Sequence, residues 1–238
     1  MVQDRPVVLA QKNYLQHRNY LEAMKTLEER FVYIYQHNLW GGEESRSGLG
    51  SSLNETEVLR KEVPIVLAKI SASSILDIPC GDFRWMSTVN LSDVDYVGAD
   101  IVENIVVGNR ERFASDRRHF VRLDLTRDVL PRADLVLCRD CLVHLSYMNI
   151  AAAMANIKKS SAKWLLATHF LRIDSNSDIH DGDWRPLSLT RPPFNLPAPH
   201  LVIVENCMEA GGAYSDKVLG LWRVADLPQS LSSVSGNP

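Results

Sequence analysis

The sequence predicts an α/β fold: a mostly parallel sheet covered by helices on both faces, closed by an antiparallel C-terminal hairpin and preceded by a helical cap. Three observations predict it. Five short, near-continuous apolar runs follow one another at 75–78, 96–101, 120–125, 134–138 and 164–170, and strands of that composition are buried on both faces. Helical stretches such as 146–160 separate them, and right-handed crossovers then bring the strand C-termini to one edge. Two further strand-like runs, 200–204 and 217–224, flank Gly211 and Gly212 and read as a closing hairpin.

Along the chain, Leu15, Leu21, Met24, Leu27, Phe31, Ile34 and Tyr35 recur at helical intervals between charges, which predicts one or two amphipathic helices over residues 9–39. Residues 40–52, WGGEESRSGLGSS, hold four glycines and four serines. That composition builds no core and predicts a mobile lid loop. Helical periodicity resumes over 56–70. Between 172 and 200 lie five of the eleven prolines; they remove backbone donors, exclude helix and central strand, and predict an ordered loop over the sheet edge. The expected organisation is a helical cap and lid over 1–60, the α/β domain over 61–228 and a flexible polar tail over 229–238.

With 238 residues, 45% of them hydrophobic and 23% charged, the chain can bury one sizeable core. A net charge of −3 lacks the basic excess of a nucleic-acid binder, so no nucleic-acid partner is expected. No run approaches the roughly 18 apolar residues of a membrane span, and the first residues lack a basic start before an apolar stretch. A soluble, cytoplasmic protein is the expectation. Cys80, Cys138, Cys141 and Cys207 lie in or beside apolar runs, where reduced cysteines serve as small core residues.

Residues 73–86, SSILDIPCGDFRWM, form the most informative segment. They read as a buried strand that ends on Asp77 and turns through Gly81 into a helix. The next strand closes on Asp100, 23 residues after Asp77. In an α/β sheet this pairing puts a ligand's polar tail at the turn and its ribose at the second carboxylate, the signature of a nucleoside cofactor. A dinucleotide is disfavoured, because its pyrophosphate needs the close backbone approach that several glycines permit.

The segments WGGEESRSGLGSSLNET, ILDIPCGDFRWM, DLVLCRDCLVHLS and GDWRPLSLTRPPFNLP resemble the class I S-adenosylmethionine-dependent methyltransferases over roughly 65–227. Within that family they are similar to small enzymes that modify glycans or secondary metabolites. The resemblance implies a Rossmann-like, seven-stranded, mostly parallel sheet with a reversed final hairpin, and S-adenosylmethionine as cofactor. It sets Asp77 and Gly81 beside the methionine part, Asp100 on both ribose hydroxyls, Asp124 and the Leu125 amide on the adenine, and Arg139 in the cofactor set. The family's first motif usually carries three glycines, of which this chain keeps Gly81 alone. Pro79 lacks an amide proton, so Arg46 or Arg84 is expected to serve the cofactor's carboxylate.

By the same resemblance Asp140, at the fourth strand end, faces the transferred methyl group. His144 lies four residues on, and side chains four apart on a helix share a face. A hydroxyl acceptor is a weak acid and needs a base. The candidates are Asp140, His144, His169 and, in the segment HDGDW, His180, Asp181 and Asp183; histidine titrates nearest neutrality and favours His144 or His169. No metal is expected, and two metal readings stand as alternatives. Asp140, Asp181 and Asp183 offer hard oxygen ligands to a divalent ion, and Cys138-x-x-Cys141 with His144 resembles half a zinc site, lacking a second ligand pair. Trp184 and Phe194 offer flat surfaces to a sugar ring or plug the sheet edge. The expectation is methyl transfer to a hydroxyl of a small-molecule or glycan acceptor. The alternatives are N-methylation of a small molecule or peptide, and a catalytically silent fold acting as a partner subunit.

Overall fold

The computed structural model describes residues 5–229. Helices α1 (Leu9–Ala23) and α2 (Leu27–Gln36) come first. Thr26 starts α2 with a reciprocal cap, its hydroxyl accepting from the Glu29 amide while the Glu29 carboxylate accepts from the Thr26 amide. After α3 (Glu57–Lys69) the chain alternates: β1 (Ser74–Asp77), β2 (Asp95–Asp100), α4 (Glu103–Phe113), β3 (Arg118–Arg122), β4 (Leu135–Cys138), α5 (Tyr147–Lys159) and β5 (Trp164–Phe170). Strands β6 (Leu201–Val204) and β7 (Lys217–Arg223) follow.

The strands form one sheet in the order β3-β2-β1-β4-β5-β7-β6. Strands β1 to β5 are parallel, and β7 runs antiparallel to both β5 and β6. All seven expected strands are present. Three local expectations fail. No helix follows Gly81: residues 81–90 make turns and a single 3-10 turn at Met86–Thr88. Gly81 (φ 53°) and Phe83 (φ 59°) both take the left-handed conformation, which interrupts a helical path. Strand β3 stops at Arg122, two residues short of Asp124. The β6–β7 connection is no tight turn but the stretch 205–216, in which Asn206, Ala210, Gly211 and Gly212 have positive φ. The tail expected after residue 229 falls outside the described residues.

Successive strand residues point to opposite faces. Leu76, Val136, Leu165 and Trp222 pack with Ile150, Ala153 and Ile157 of α5 on one face. Ile75, Leu135, Leu137, Leu166 and Leu221 pack with Leu59, Val63 and Val66 of α3 on the other. All four residues of β4 are buried, and each such large apolar side chain contributes about 1.5–3 kcal/mol by leaving water.

From β1 the chain moves outward to β2 and β3, then crosses back to β4 and β5. The switch between β1 and β4 opens a crevice at their C-terminal ends. The cap reaches over it. Arg122 of β3 bonds the Glu28 carboxylate of α2 at 2.5 and 3.1 Å, Arg5 bonds Asp216 at 2.7 and 3.0 Å, and the Tyr214 hydroxyl donates to the Pro6 carbonyl at 2.7 Å. Among the described residues no helix is long and apolar enough to cross a membrane.

Candidate active site

The crevice holds a cavity of about 370 Å³, within the range of small-molecule sites. The strand ends supply Asp77, Asp100, Arg139 and Asp140; the lid supplies residues 47–51, and the cap supplies residues 7–10, Leu27 and Phe31.

On the β1–β3 side, Asp77 is buried and accepts from the Tyr96 hydroxyl at 2.7 Å. Burial pushes its pKa up to about 7. At the following turn, a Cβ on Gly81 would lie 2.2 Å from Ser47 Oγ, so glycine alone lets the lid close there while holding φ at 53°. Asn109 of α4, wholly buried, donates to the Gly81 carbonyl at 2.7 Å and fixes the turn. Asp100 is buried at the end of β2, and its two oxygens accept from the Gly81 amide at 3.2 Å and the Val102 amide at 3.0 Å. Burial raises its pKa to about 6 against the pull of those amides. It is therefore an ionised carboxylate at neutral pH, fixed in the cavity wall.

Asp124 and Leu125 line the same cavity. The Asp124 carboxylate also organises its own turn, accepting from the Thr126 amide at 2.9 Å and hydroxyl at 2.6 Å. Expected to be mobile, the lid is tied down: the Ser47 hydroxyl accepts from the Asp82 amide at 2.9 Å, and the Arg46 amide donates to Asp82 at 3.1 Å. The Arg46 guanidinium departs from expectation. It lies over the Tyr35 ring at 5.6 Å, donates to the Tyr35 carbonyl at 3.4 Å and does not line the cavity. Arg84 pairs with Glu44 at the surface, 3.3 Å away. The buried cations lining the cavity are Arg139 and Lys217.

On the β4–β7 side, Arg139 donates to Glu205 Oε2 at 2.7 Å and to the Gly50 carbonyl at 2.8 Å, and lies 3.3 Å from Asp140. Lys217, opening β7, donates to Asp140 Oδ2 at 2.6 Å. The Thr168 hydroxyl of β5 accepts from the Asp140 amide at 2.8 Å. Burial works to raise the Asp140 pKa, but Lys217 and Arg139 overcome it and hold the carboxyl well below its usual range. So acidic a group is a weaker proton acceptor than a neutral imidazole.

His144 lies in a 3-10 turn (Leu142–His144), not in a helix, and lines the cavity. Its Nδ1 is 2.8 Å from the Asp183 carbonyl. A carbonyl only accepts, so Nδ1 carries the proton and Nε2 keeps a lone pair. Burial lowers its pKa to about 4, so the imidazole is neutral at pH 7, a weak base but a stronger one than Asp140. The Trp40 ring lies 5.9 Å away, and its indole N–H is buried without a partner among the described residues. Residues 181–185 brace this turn. Gly182 donates to the His144 carbonyl at 2.7 Å, Asp181 accepts from the Ser146 amide at 2.7 Å, and the buried Arg185 guanidinium donates to the Leu142 and Leu145 carbonyls at 2.8 and 2.7 Å.

Several expected site residues lie elsewhere. The Asp183 carboxylate accepts from the Trp184 amide at 2.7 Å and does not line the cavity; only its main-chain carbonyl serves the site. His169 is buried with Nδ1 accepting from the Leu189 amide at 3.1 Å, edge-on to Trp222 at 5.9 Å. Its neighbour Phe170 lines the cavity instead, since adjacent strand residues face opposite ways. His180 lies 3.5 Å from Glu22, outside the cavity. Asp140, Asp181 and Asp183 do not converge, nor do Cys138, Cys141 and His144: among the described residues no three His, Cys, Asp or Glu side chains gather as metal ligands. Trp184 and Phe194 are buried rather than exposed. Trp184 lines the cavity 5.0 Å from the Tyr214 ring, while Phe194 plugs the edge against Tyr147 at 5.2 Å. Lys217, Glu205 and Glu209 escape sequence analysis; the one signal for them is a lysine opening an otherwise apolar strand, KVLGLWR.

No protein-family model matches the sequence, and no curated protein does. Solved structures do. Human N-acetylserotonin methyltransferase, in complex with S-adenosylmethionine, superimposes with a TM-score of 0.60 at 15% identity, covering 89% of this chain and 66% of that one. Burkholderia thailandensis 1,6-didemethyltoxoflavin-N1-methyltransferase, with 1,6-didemethyltoxoflavin and S-adenosylhomocysteine bound, gives 0.58 at 16% identity and 92% of each chain. Magnesium protoporphyrin IX methyltransferase from Synechocystis PCC 6803, with bound S-adenosylmethionine, gives 0.56 at 13% identity, covering 84% of this chain and 99% of that one. The strand order, the reversed β7 and the crevice between β1 and β4 give this chain the fold of the class I S-adenosylmethionine-dependent methyltransferases.

Proposed function

We propose that the chain binds S-adenosylmethionine in this cavity and transfers its methyl group to a hydroxyl of a ring-bearing small molecule, a sugar in the first instance. The observation that carries this reading is the buried Asp100 carboxylate, fixed in the wall of a cavity that Asp140 and His144 also line. Each carboxylate oxygen accepts one amide and has a second lone pair open, which suits two vicinal ribose hydroxyls. Asp77, Gly81 and Arg139 would hold the methionine part, and Asp124 with the Leu125 amide the adenine. When bound, the cofactor supplies an electrophilic methyl group on sulfur, and the protein supplies alignment and a base.

The neutral His144 favours a hydroxyl acceptor. Its Nε2 takes the hydroxyl proton as the oxygen–methyl bond forms and the sulfur–methyl bond breaks, the electron pair staying on sulfur. Trp40 and Trp184 offer flat apolar walls to a ring. All four cysteines are free thiols, in keeping with a cytoplasmic location.

Calorimetric titration with S-adenosylhomocysteine tests the cofactor, and transfer of labelled methyl from S-adenosylmethionine to a panel of monosaccharides, phenols and amines tests the acceptor. Saturable binding with label on a hydroxyl is expected. Absence of binding sinks the reading, label on nitrogen moves it to amine chemistry, and binding without transfer leaves a silent fold.

A further inference from the structure

Five charged groups crowd one end of the cavity, four of them in its wall and Glu205 behind Arg139 and Lys217, and their charges do not cancel. Asp140, Glu205 and Glu209 stand against Arg139 and Lys217, an excess of one negative charge when all are ionised. A Cβ built on Gly50 would lie 3.3 Å from Glu209 Oε1, 3.4 Å from Asp140 Oδ2 and 3.5 Å from Lys217 Nζ. Two carboxylates and an ammonium, carried by the turn after β4, the β6–β7 connection and the start of β7, thus converge beneath the lid. Asp140 has Lys217 at 2.6 Å, and Glu205 Oε2 has Arg139 at 2.7 Å. Glu209, which lines the cavity, makes no hydrogen bond or ion pair among the described residues, and burial pushes its pKa up. Behind the wall, Glu205 Oε1 is wholly buried and has no hydrogen-bond partner among the described residues, so its carboxylate draws on Arg139 and Lys217 through Oε2 and leaves them less free to offset Glu209.

An uncompensated carboxylate at the wall of a cavity is costly until a cation arrives. The lid links this cluster to the Gly81 turn. Ser47 rests on Gly81 and Gly50 on this cluster, three residues apart along one chain, so at most about 11 Å separates their Cα atoms. Given the function proposed above, on which this step rests, the cavity takes a sulfonium and must release its neutral thioether product. The two molecules differ by a methyl group and one positive charge.

We infer that Glu209, through the negative charge it adds to this cluster, is a specificity residue that makes the cavity prefer the sulfonium cofactor to S-adenosylhomocysteine. Product release then follows from the lost charge, with no change of fold required.

The test is calorimetric titration of wild type, Glu209→Gln and Glu209→Asp with S-adenosylmethionine and with S-adenosylhomocysteine. Glu209→Gln should weaken S-adenosylmethionine about tenfold, the worth of one partly screened charge, and change S-adenosylhomocysteine less than twofold. Glu209→Asp should keep the preference. Equal losses for both ligands, or none for either, overturn the inference while cofactor binding stands; the second result assigns the charge to a cationic acceptor. A wild type that binds neither ligand overturns the underlying reading too. Melting of the free variants checks folding, and Glu209→Ala replaces Glu209→Gln if that variant does not fold.

Discussion

On the β1–β3 side of the cavity Asp100 and Asp124 are held largely by main-chain amides, with Asp77 on the Tyr96 hydroxyl the exception, whereas on the β4–β7 side the carboxylates are tied to distant side chains. Asp100 accepts from the amides of Gly81 and Val102, and Asp124 from the amide of Thr126. Asp140 depends on Lys217 and Arg139, and Arg139 depends on Glu205. A main-chain frame is indifferent to most substitutions, so it suits a ligand that never changes. A frame of paired side chains can be rewritten residue by residue, so under the function proposed above it suits the end of the cavity where the cofactor's charged sulfur meets a variable acceptor. His144 sits between these regimes, its ring set by the Asp183 carbonyl and its turn by Arg185.

The sharpest way to break the comparison is at His144. His144→Gln should lower the methyl-transfer rate to a hydroxyl about 10²–10³-fold and change S-adenosylhomocysteine affinity less than twofold, as read by single-turnover kinetics and calorimetry. Because burial keeps the His144 pKa near 4, the wild-type chemical step should be flat between pH 6 and 8 as far as this base governs it. An equal loss of cofactor binding in the variant would merge the two sides into one.

Asp100 carries the next largest effect. Replacing it with Asn removes a charged acceptor worth roughly 1.5–3 kcal/mol and should weaken S-adenosylhomocysteine about 10–100-fold. Wild-type affinity should also fall as pH drops through about 6, where Asp100 takes up its proton, and Asp100→Asn should lose that dependence. The free protein responds in the opposite sense. Folding raises the pKa of Asp77 to about 7 and of Asp100 to about 6, both from 3.8. The stability these groups contribute is full below about pH 4 and is lost as pH rises through 6 and 7. Thermal melting of the free protein should show that slope, and Asp77→Asn, which can still accept from the Tyr96 hydroxyl, should flatten it.

The same division explains what the sequence made legible. That Asp77, Gly81 and Asp100 would lie together at the cavity was legible, because a strand, a turn and the next strand end are local patterns, and the sheet places such ends by topology alone. The apolar runs marked all seven strands for the same reason. Failures came where partners are distant in sequence. His169 and Phe170 are equally plausible as strand-end residues until the face of β5 is known, and nothing local says that His169 turns toward the Leu189 amide. Arg46 is adjacent to the true contact, Ser47, yet its guanidinium finds Tyr35. Glu205 and Lys217 become a site only once β6 and β7 bring them to Arg139, 66 residues from Glu205 in the chain.

His169 supplies a smaller, contrasting effect on stability. His169→Ala leaves the buried Leu189 amide without its acceptor and should cost about 1–3 kcal/mol, a fall in melting temperature of roughly 2–10 °C. Methyl transfer below that temperature should stay within twofold of wild type. A rate loss as large as that of His144→Gln would return His169 to the chemistry.

The finest distinction lies between two adjacent lid residues. The Ser47 hydroxyl accepts from the Asp82 amide at 2.9 Å and covers Gly81, so Ser47→Ala removes a hydrogen bond that shapes the Gly81 turn. One such bond is worth about 1 kcal/mol, and S-adenosylhomocysteine affinity should fall about fivefold. The Arg46 guanidinium sits on Tyr35 outside the cavity, so Arg46→Ala should change affinity less than twofold, although arginine is the residue that charge alone would select. If the order is reversed, the lid adopts a second arrangement with ligand bound in which Arg46 swings inward. The β1–β3 side would then depend, like its counterpart, on a side chain delivered from afar.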